Sequence, residues 1–296
     1  MISIKQLTYA LAIEEKLHFK KAAEMCHVSQ SALSTGVNEL EKQLGIQIFE
    51  RDNKKVLVTP VGKELLQQAR SIKLQVDDLQ HFADTQKQPM SYPVKIGLIP
   101  TITPYLLPKL LPVLNQRYPL AQLNIVENQS HILVDMVRRG ELDTAILALP
   151  FPCEGLITLK FWEEDFYWVT LKGREHSEQK EITADELKRS DLLLLEDGHC
   201  LKGHILSVCN MLEETAMQDV KLTGLNTLIQ MVLGNLGSTI IPEMAVEQLA
   251  EQHESLSVVH LNEPSPHREL VFILRPNSTC MASIEALKAI CKQALS

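Results

Sequence analysis

Six cysteines stand in the 296 residues, at positions 26, 153, 200, 209, 280 and 291, and one of them has neighbours suited to redox chemistry. Cys200 follows His199 and precedes Lys202 and His204 in the run Glu196-Asp197-Gly198-His199-Cys200-Leu201-Lys202-Gly203-His204. The thiolate is the form of cysteine that attacks peroxide, and nearby positive charge or a helix N-terminus lowers the thiol pKa and enlarges the thiolate share. Cys200 is thus the natural nucleophile of the chain, with a lowered pKa expected. Cys209 comes nine residues later, in an apolar, helix-prone stretch. If the intervening residues were helical, the two Cα atoms would lie about 13 Å apart at 1.5 Å per residue. A disulfide spans only about 4.4–6.8 Å. Sulfenic acid formed on Cys200 and condensed with Cys209 would therefore unwind the helix and repack its surroundings, which is the physical content of a switch. Two cysteines at this spacing are usually incidental, so spacing alone leaves switch and coincidence both open.

The remaining candidates read as structure, with a minor redox role left open for Cys153. Cys26 falls on a packed helical face, Cys153 in a loop after Pro150-Phe151-Pro152, and Cys280 and Cys291 in or near the last helix. The histidines beside Cys200 show no paired ligand spacing, so no metal site is expected. No phosphate-binding glycine loop or nucleophile elbow appears, and no cofactor is expected. Trp162 and Trp168 flank Glu163-Glu164-Asp165, which reads as lobe packing beside a solvated turn.

The elements that must position Cys200 belong to an ordinary globular chain, 45% hydrophobic and 22% charged. No apolar run approaches the roughly 18–20 residues of a membrane span, so no membrane association is expected. The first residues lack a basic segment followed by an apolar one, and the expected compartment is the cytoplasm. Net charge is −8, yet residues 1–88 carry 12 Lys and Arg against 11 Asp and Glu, while residues 89–296 carry 17 against 26. The acidity lies in the C-terminal part, and the basic clusters Lys20-Lys21 and Arg51, Lys54, Lys55 lie in the N-terminal part. That division permits DNA binding without requiring it.

Ser3 with Gln6 forms a capping-box pattern that predicts a helix over about 4–16. Phe19, Ala22, Ala23 and Cys26 predict a short second helix, and Ser29 is placed to cap a third. Ala22, Ala23, Val28, Leu33, Val37 and Leu40 make one buried stripe across two helices joined by a tight turn, the layout of a helix-turn-helix. Gln30, Ser31, Ser34, Thr35 and Asn38 leave a short, polar face that fits a major groove. Leu44-Gly45 ends the helix. Two β-prone runs around the basic tip Arg51, Lys54, Lys55 predict a hairpin wing. Thr59-Pro60 opens a long helix with Val61, Leu65, Leu66, Ala69, Ile72, Val76, Leu79 and Phe82 on one face, best explained by pairing with its twin in another subunit. From Val94, short apolar runs (94–99, 123–126, 144–149, 192–195 and 238–241) alternate with helical stretches (106–118, 130–139, 226–233 and 281–295), an α/β pattern with mostly parallel strands. Ligands of such folds collect at the carboxyl ends of strands. The loops at Pro100-Thr101, Glu127–Ser130 and Asp197–Cys200 are expected to share one cleft.

The stretch from Phe19-Lys20-Lys21-Ala22-Ala23 through Val28-Ser29-Gln30-Ser31-Ala32-Leu33-Ser34 to Gln43-Leu44-Gly45, with Phe49-Glu50-Arg51 and Thr59-Pro60-Val61-Gly62, resembles the LysR-type transcriptional regulators. Glu196 to Leu201, Cys209, Ile96 to Thr101, Pro104 to Pro108 and Leu142-Asp143 with Ile146 to Leu149 are similar to the OxyR-type peroxide sensors, a subgroup of that family. This resemblance implies a winged helix-turn-helix over 1–58, mainly α, a dimerising linker helix over 59–88, and a two-lobed α/β effector domain over 89–296 like the periplasmic binding proteins. Its lobes are expected at 93–163 with 270–296 and at 164–269. It implies Cys200 as peroxidatic and Cys209 as resolving thiol, with Thr101, Ser130 and His199 holding peroxide and Arg268 as a basic contributor. Double-stranded promoter DNA, hydrogen peroxide, RNA polymerase and a homotetramer built from dimers follow as partners, for a regulator that is not an enzyme. Rival readings are a regulator of the same fold answering to a small organic ligand, and a thiol peroxidase. Ser31 stands where the family commonly has proline, and Ser130 where the subgroup has threonine. Gly36 sits inside the recognition helix at a cost of about 1 kcal/mol, which implies altered or less rigid base readout. Lys202 and Gly203 replace an arginine and an aspartate, which leaves two alternatives open: reduced peroxide reactivity, or compensation by Lys202 and His204.

Overall fold

The computed structural model describes residues 1–52, 55–85, 89–187, 191–196, 198–209 and 224–296. They form two compact units, Met1–Ala83 and Asp84–Ser296.

In the first unit, α1 (Ile4–Lys16) starts at a full capping box, in which Ser3 accepts from the Gln6 N–H while the Gln6 side chain accepts from the Ser3 N–H. α2 (Phe19–Met25) and α3 (Gln30–Leu44) follow, with His18 and Ser29 as side-chain N-caps. Leu7, Ala10, Ile13, Ala22, Ala23, Leu33, Val37 and Leu40 are buried together, the stripe read from the sequence. Gly36 has a packing reason: a Cβ there would lie 3.0 Å from Cδ2 of the buried Tyr9, so glycine lets α3 close onto α1. β1 (Phe49–Asp52) and β2 (Lys55–Val58) pair antiparallel as a hairpin. Its tip, with Lys54, and the side chains of Arg51 and Lys55 lie outside the described residues. α4 (Pro60–Thr85) divides its apolar face. Leu66 and Ala69 are buried in this unit's core, whereas Val61, Ile72 and Leu79 are exposed; the Phe82 side chain lies outside the described residues.

The second unit holds two five-stranded sheets. One has the order β4 (Leu123–Glu127), β3 (Val94–Leu98), β5 (Thr144–Leu149), β12 (Arg268–Leu274), β6 (Ile157–Glu164). α5 (Thr103–Arg117), α6 (Ser130–Arg139) and α11 (Met281–Leu295) belong to this lobe. The other has the order β8 (Glu181–Ile182), β11 (Leu256–Leu261), β7 (Phe166–Leu171), β10 (Ser238–Pro242), β9 (Leu192–Leu193). Around it in the chain lie α7 (Ala184–Leu187), α8 (Cys200–Val208), α9 (Leu225–Leu233) and α10 (Glu243–Leu249). The chain crosses between lobes twice, from β6 to β7 and from β11 to β12.

The expectation of mostly parallel sheets needs correction. Four strand pairings are parallel and four antiparallel, because each crossover brings in a strand that runs against its neighbours. β5 and β12 are central and buried almost throughout, so they read as continuous apolar runs. β6 lies at an edge and alternates. The run 192–195 is strand only at Leu192–Leu193.

Candidate functional site

Cys200 is the first residue of α8 and Ser130 the first residue of α6. Both helices lack a side-chain N-cap hydrogen bond, so the N–H groups of their first turns are left to other partners near the thiol. A cavity of about 420 Å³ opens here between the lobes. It is lined from one side by His131, Pro150 and Phe151, and from the other by residues 198–200, 202–204 and Leu206 of the α8 segment.

Two buried polar atoms at this place have no hydrogen-bond partner, His199 Nε2 and His204 Nδ1, and the buried Ser130 hydroxyl meets the Cys200 thiol. His204 Nε2 lies 2.9 Å from the Pro150 carbonyl oxygen. A buried polar group without a partner costs stability, so such a cluster marks room for a small polar guest.

Arg268, at the start of β12, is wholly buried. Its Nε and Nη2 donate to Glu164 Oε1 at 2.8 and 2.6 Å, and both side chains of this pair are fully enclosed. Its Nη1 and Nη2 reach the Thr101 hydroxyl and carbonyl oxygens at 3.3 and 3.4 Å. Glu164 Oε2 in turn accepts from the Met244 N–H of α10 at 2.9 Å. The acidic triplet is therefore no simple solvated turn. Glu163 is half-exposed beside Lys160, but Glu164 is turned inward past the register shift in the β6–β12 ladder and is needed there to balance a buried guanidinium. Sequence reasoning missed Glu164, because simple alternation from 157, 159 and 161 would turn Glu163 inward and the register shift in the β6–β12 ladder is not written in the composition of β6.

The expected lowering of the Cys200 pKa is also corrected. Burial pushes the thiol up, against opposing pulls from the Ser130 hydroxyl, the Arg268 charge and the backbone at Ala148 and Cys200. The residue remains half-buried, so it stays within reach of the cavity. Its two histidine neighbours do not act as cations. Desolvation lowers the pKa of His199, and that of His204 falls to about 4. The positive charge felt by the sulfur comes from Arg268, 68 positions away in sequence.

The structure thus joins Thr101, Ser130, Cys200 and Arg268 through direct contacts or charge, and places His199 and Lys202 on the same cavity. Asp197 lies outside the described residues. Cys209 is the C-cap of α8, fully buried, at the opposite end of the helix from Cys200, and no disulfide joins the two. Cys280 and Cys291 are buried, with their thiols pushed up to about 11 and about 12 by desolvation. Cys26 and Cys153 are half-buried. Among the described residues no group of His, Cys, Asp and Glu side chains is arranged to hold a metal, and no helix is long and apolar enough to cross a membrane. On α3, Gln30, Ser31, Thr35 and Asn38 are exposed and Ser34 is half-buried, forming one polar face.

Comparison with known proteins covers both units. Residues 4–63 match the bacterial regulatory helix-turn-helix proteins of the lysR family, and residues 87–296 match the LysR substrate binding domain. The DNA-binding transcriptional dual regulator OxyR of Escherichia coli K12 is 36% identical over 290 residues, covering 97% of this chain and 93% of its own. The HTH-type transcriptional regulator EstR of Acinetobacter baylyi is 36% identical over 292 residues, covering 98% and 96%. Among solved structures, a full-length OxyR variant from Pseudomonas aeruginosa superposes with a TM-score of 0.80 at 33% identity, covering 99% of this chain and 95% of that one. An H2O2-bound OxyR mutant from Corynebacterium glutamicum gives 0.68 at 30% identity, covering 100% and 93%. With both units matched along nearly their whole length, this chain belongs to the LysR family of bacterial helix-turn-helix transcriptional regulators.

Proposed function

We propose that this regulator senses hydrogen peroxide through Cys200 and relays the signal by a disulfide to Cys209. The observation that carries the reading is a thiol at a helix N-terminus, within the field of a buried arginine, facing a cavity beside two unpartnered buried histidine nitrogens. Relatives named for hydrogen peroxide or as OxyR, similar along nearly the whole chain, support it. In the first step Cys200-SH and H2O2 give Cys200-SOH and water, the sulfur losing two electrons to the peroxide. In the second, Cys209-SH displaces hydroxide from that sulfur, giving the disulfide and a second water. α8 spans nine residues, so its ends stand about 13 Å apart and the helix must open before the sulfurs meet.

In this reading Thr101, Ser130, His199, Lys202 and Arg268 form the peroxide site. Gln30, Ser31, Ser34, Thr35 and Asn38 of α3 contact base edges and phosphates of promoter DNA, and Arg51, Lys54 and Lys55 of the wing contact phosphates. The exposed Ile72 and Leu79 of α4 fit a dimer contact within a homotetramer that engages RNA polymerase. One observation favours a second reading, a small organic effector. The cavity of about 420 Å³ far exceeds the roughly 30 Å³ of liquid that a water-sized molecule occupies.

Peptide mass spectrometry on reduced full-length protein after micromolar peroxide separates the two. A Cys200–Cys209 bond in wild type, replaced by oxidised Cys200 in Cys209→Ser, is the expected result. Two thiols that stay reduced while DNA binding persists refute the peroxide reading and direct the search to organic ligands, detected as a thermal shift without thiol loss.

A further inference from the structure

We infer that His204 is the proton shuttle of the Cys200 cavity, taking the thiol proton on Nδ1 and returning it to the hydroxide that leaves when the peroxide bond breaks. The inference rests on the reading of Cys200 as the peroxide-reactive thiol. Cys200 and His204 stand one turn apart on α8, on the same helical face, and both line the cavity. His204 is 3% exposed.

The orientation of its ring decides the chemistry. Nε2 lies 2.9 Å from the Pro150 carbonyl oxygen, which can only accept, so Nε2 carries the hydrogen. In the neutral ring Nδ1 then holds a lone pair, and this atom is buried without a partner. His199 Nε2 is likewise unpartnered, but no hydrogen bond among the described residues sets which nitrogen of that ring is protonated. Desolvation keeps His204 neutral, with a pKa lowered to about 4. Such a ring is a weak base at neutral pH, so it holds a proton only in passing and hands it on to the leaving hydroxide.

The need for one follows from the thiol. Burial raises the Cys200 pKa, so at neutral pH the S–H bond is intact and its proton must go somewhere as sulfur attacks. The proton moves to Nδ1 across one bridging water, since the thiol does not itself hydrogen-bond that nitrogen, the sulfur lone pair forms the S–O bond to the near oxygen, and the O–O bond breaks. The leaving hydroxide takes the proton from Nδ1. The products are Cys200-SOH and water, sulfur is oxidised by two electrons, and His204 ends neutral.

The test uses the full-length chain in a Cys209→Ser background, where sulfenic acid is the end point, trapped with dimedone and timed by mass spectrometry. His204→Gln retains an amide that can donate to Pro150 but has no titrating nitrogen, and His204→Ala leaves room for free imidazole. Both variants are expected to slow oxidation by peroxide about a hundredfold. Millimolar imidazole should restore the alanine variant and leave the others unchanged, which a merely structural histidine would not produce. Alkylation of Cys200 by iodoacetamide also needs the thiol proton removed but needs none returned to the departing iodide, so it should slow too, by a smaller factor than peroxide oxidation. A wild-type rate in His204→Gln, or a slow alanine variant indifferent to imidazole, overturns the shuttle while leaving the peroxide reading intact. If the parent with His204 in place does not oxidise at Cys200, the peroxide reading fails and the shuttle with it. Should the alanine variant fail to fold, the glutamine variant alone decides.

Discussion

Removing either half of the Arg268–Glu164 pair should destabilise the effector unit alike yet move the reactivity of Cys200 in different directions. Both side chains are fully enclosed, and Arg268 meets Glu164 through two donors at 2.8 and 2.6 Å. Loss of one partner from a buried ion pair strands the other charge and costs about 3–5 kcal/mol. For a unit the size of residues 84–296, each kcal/mol shifts the melting temperature by roughly 2–4 °C, so a fall of roughly 6–20 °C is expected. Arg268→Met and Glu164→Leu should each show it in a thermal melt, and the double variant should recover most of the loss, because two apolar side chains leave no charge stranded. Reactivity separates the roles. Arg268 is the charge that pulls the Cys200 pKa down against burial. Arg268→Met therefore shrinks the thiolate share and slows alkylation of Cys200 at neutral pH. Glu164→Leu leaves the guanidinium charged and frees it from its carboxylate, so alkylation stays as fast or quickens. Melting temperatures of both single variants close to that of wild type would refute the buried-pair argument. Equal slowing of alkylation in the two would refute the electrostatic role of Arg268.

Gly203→Ala adds a Cβ that meets nothing within 4 Å and strengthens α8 by about 1 kcal/mol, which shifts the equilibrium toward the dithiol about fivefold, or roughly 20 mV. Titration of the Cys200–Cys209 couple against glutathione checks this, and an unchanged midpoint would separate helix stability from disulfide formation. Gly36→Ala gains about 1 kcal/mol of helix propensity but pushes on Tyr9, at an overpacking cost of about 1–3 kcal/mol. It should destabilise wild type and stabilise a Tyr9→Leu background, and a double-mutant cycle by denaturation with no coupling would remove this account of Gly36. Lys54→Glu with Lys55→Glu should weaken binding to all DNA sequences and flatten its salt dependence, read from affinities at several salt concentrations. An unchanged slope would take the wing out of the phosphate contacts.

Helix starts were legible because their determinants are local. Ser3 with Gln6 and Ser29 each cap the helix that their spacing predicts, and Pro60 stands at the first helical position of α4. The polar face of α3 and the location of Cys200 at the head of an apolar segment followed from the same short-range patterns. The strands β6, β7, β11 and β12 went unread, since a crossover strand is defined by its partners across the lobes rather than by its own composition. The electrostatics of the thiol were misread for a related reason. His199 and His204 look basic in sequence, but burial keeps them neutral, and the cation that matters is supplied by β12. Its counterion, Glu164, is 104 positions away in the chain and hidden among acids that do face water.

α8 carries both thiols and also keeps them apart, and under the proposed disulfide relay that opposition is what would let a change at one sulfur reach the whole unit. Oxidation of Cys200 to the sulfenic acid adds one oxygen at the head of the helix, beside a cavity with room for it. The disulfide cannot be accommodated so cheaply. Cys209 is fully buried at the other end, packed in the same core as Leu201 and Ile205, and bringing it to Cys200 means breaking the hydrogen bonds of α8 and drawing those side chains out of the core. A packed core has few intermediate arrangements, so this step selects between two structures instead of grading smoothly between them. Gly203, in the middle of the helix with open space around it, lowers the cost of opening without disturbing what the closed form packs against. In the proposed relay, peroxide chemistry would thus need only the N-terminal turn of α8, whereas the change of shape would need all of it.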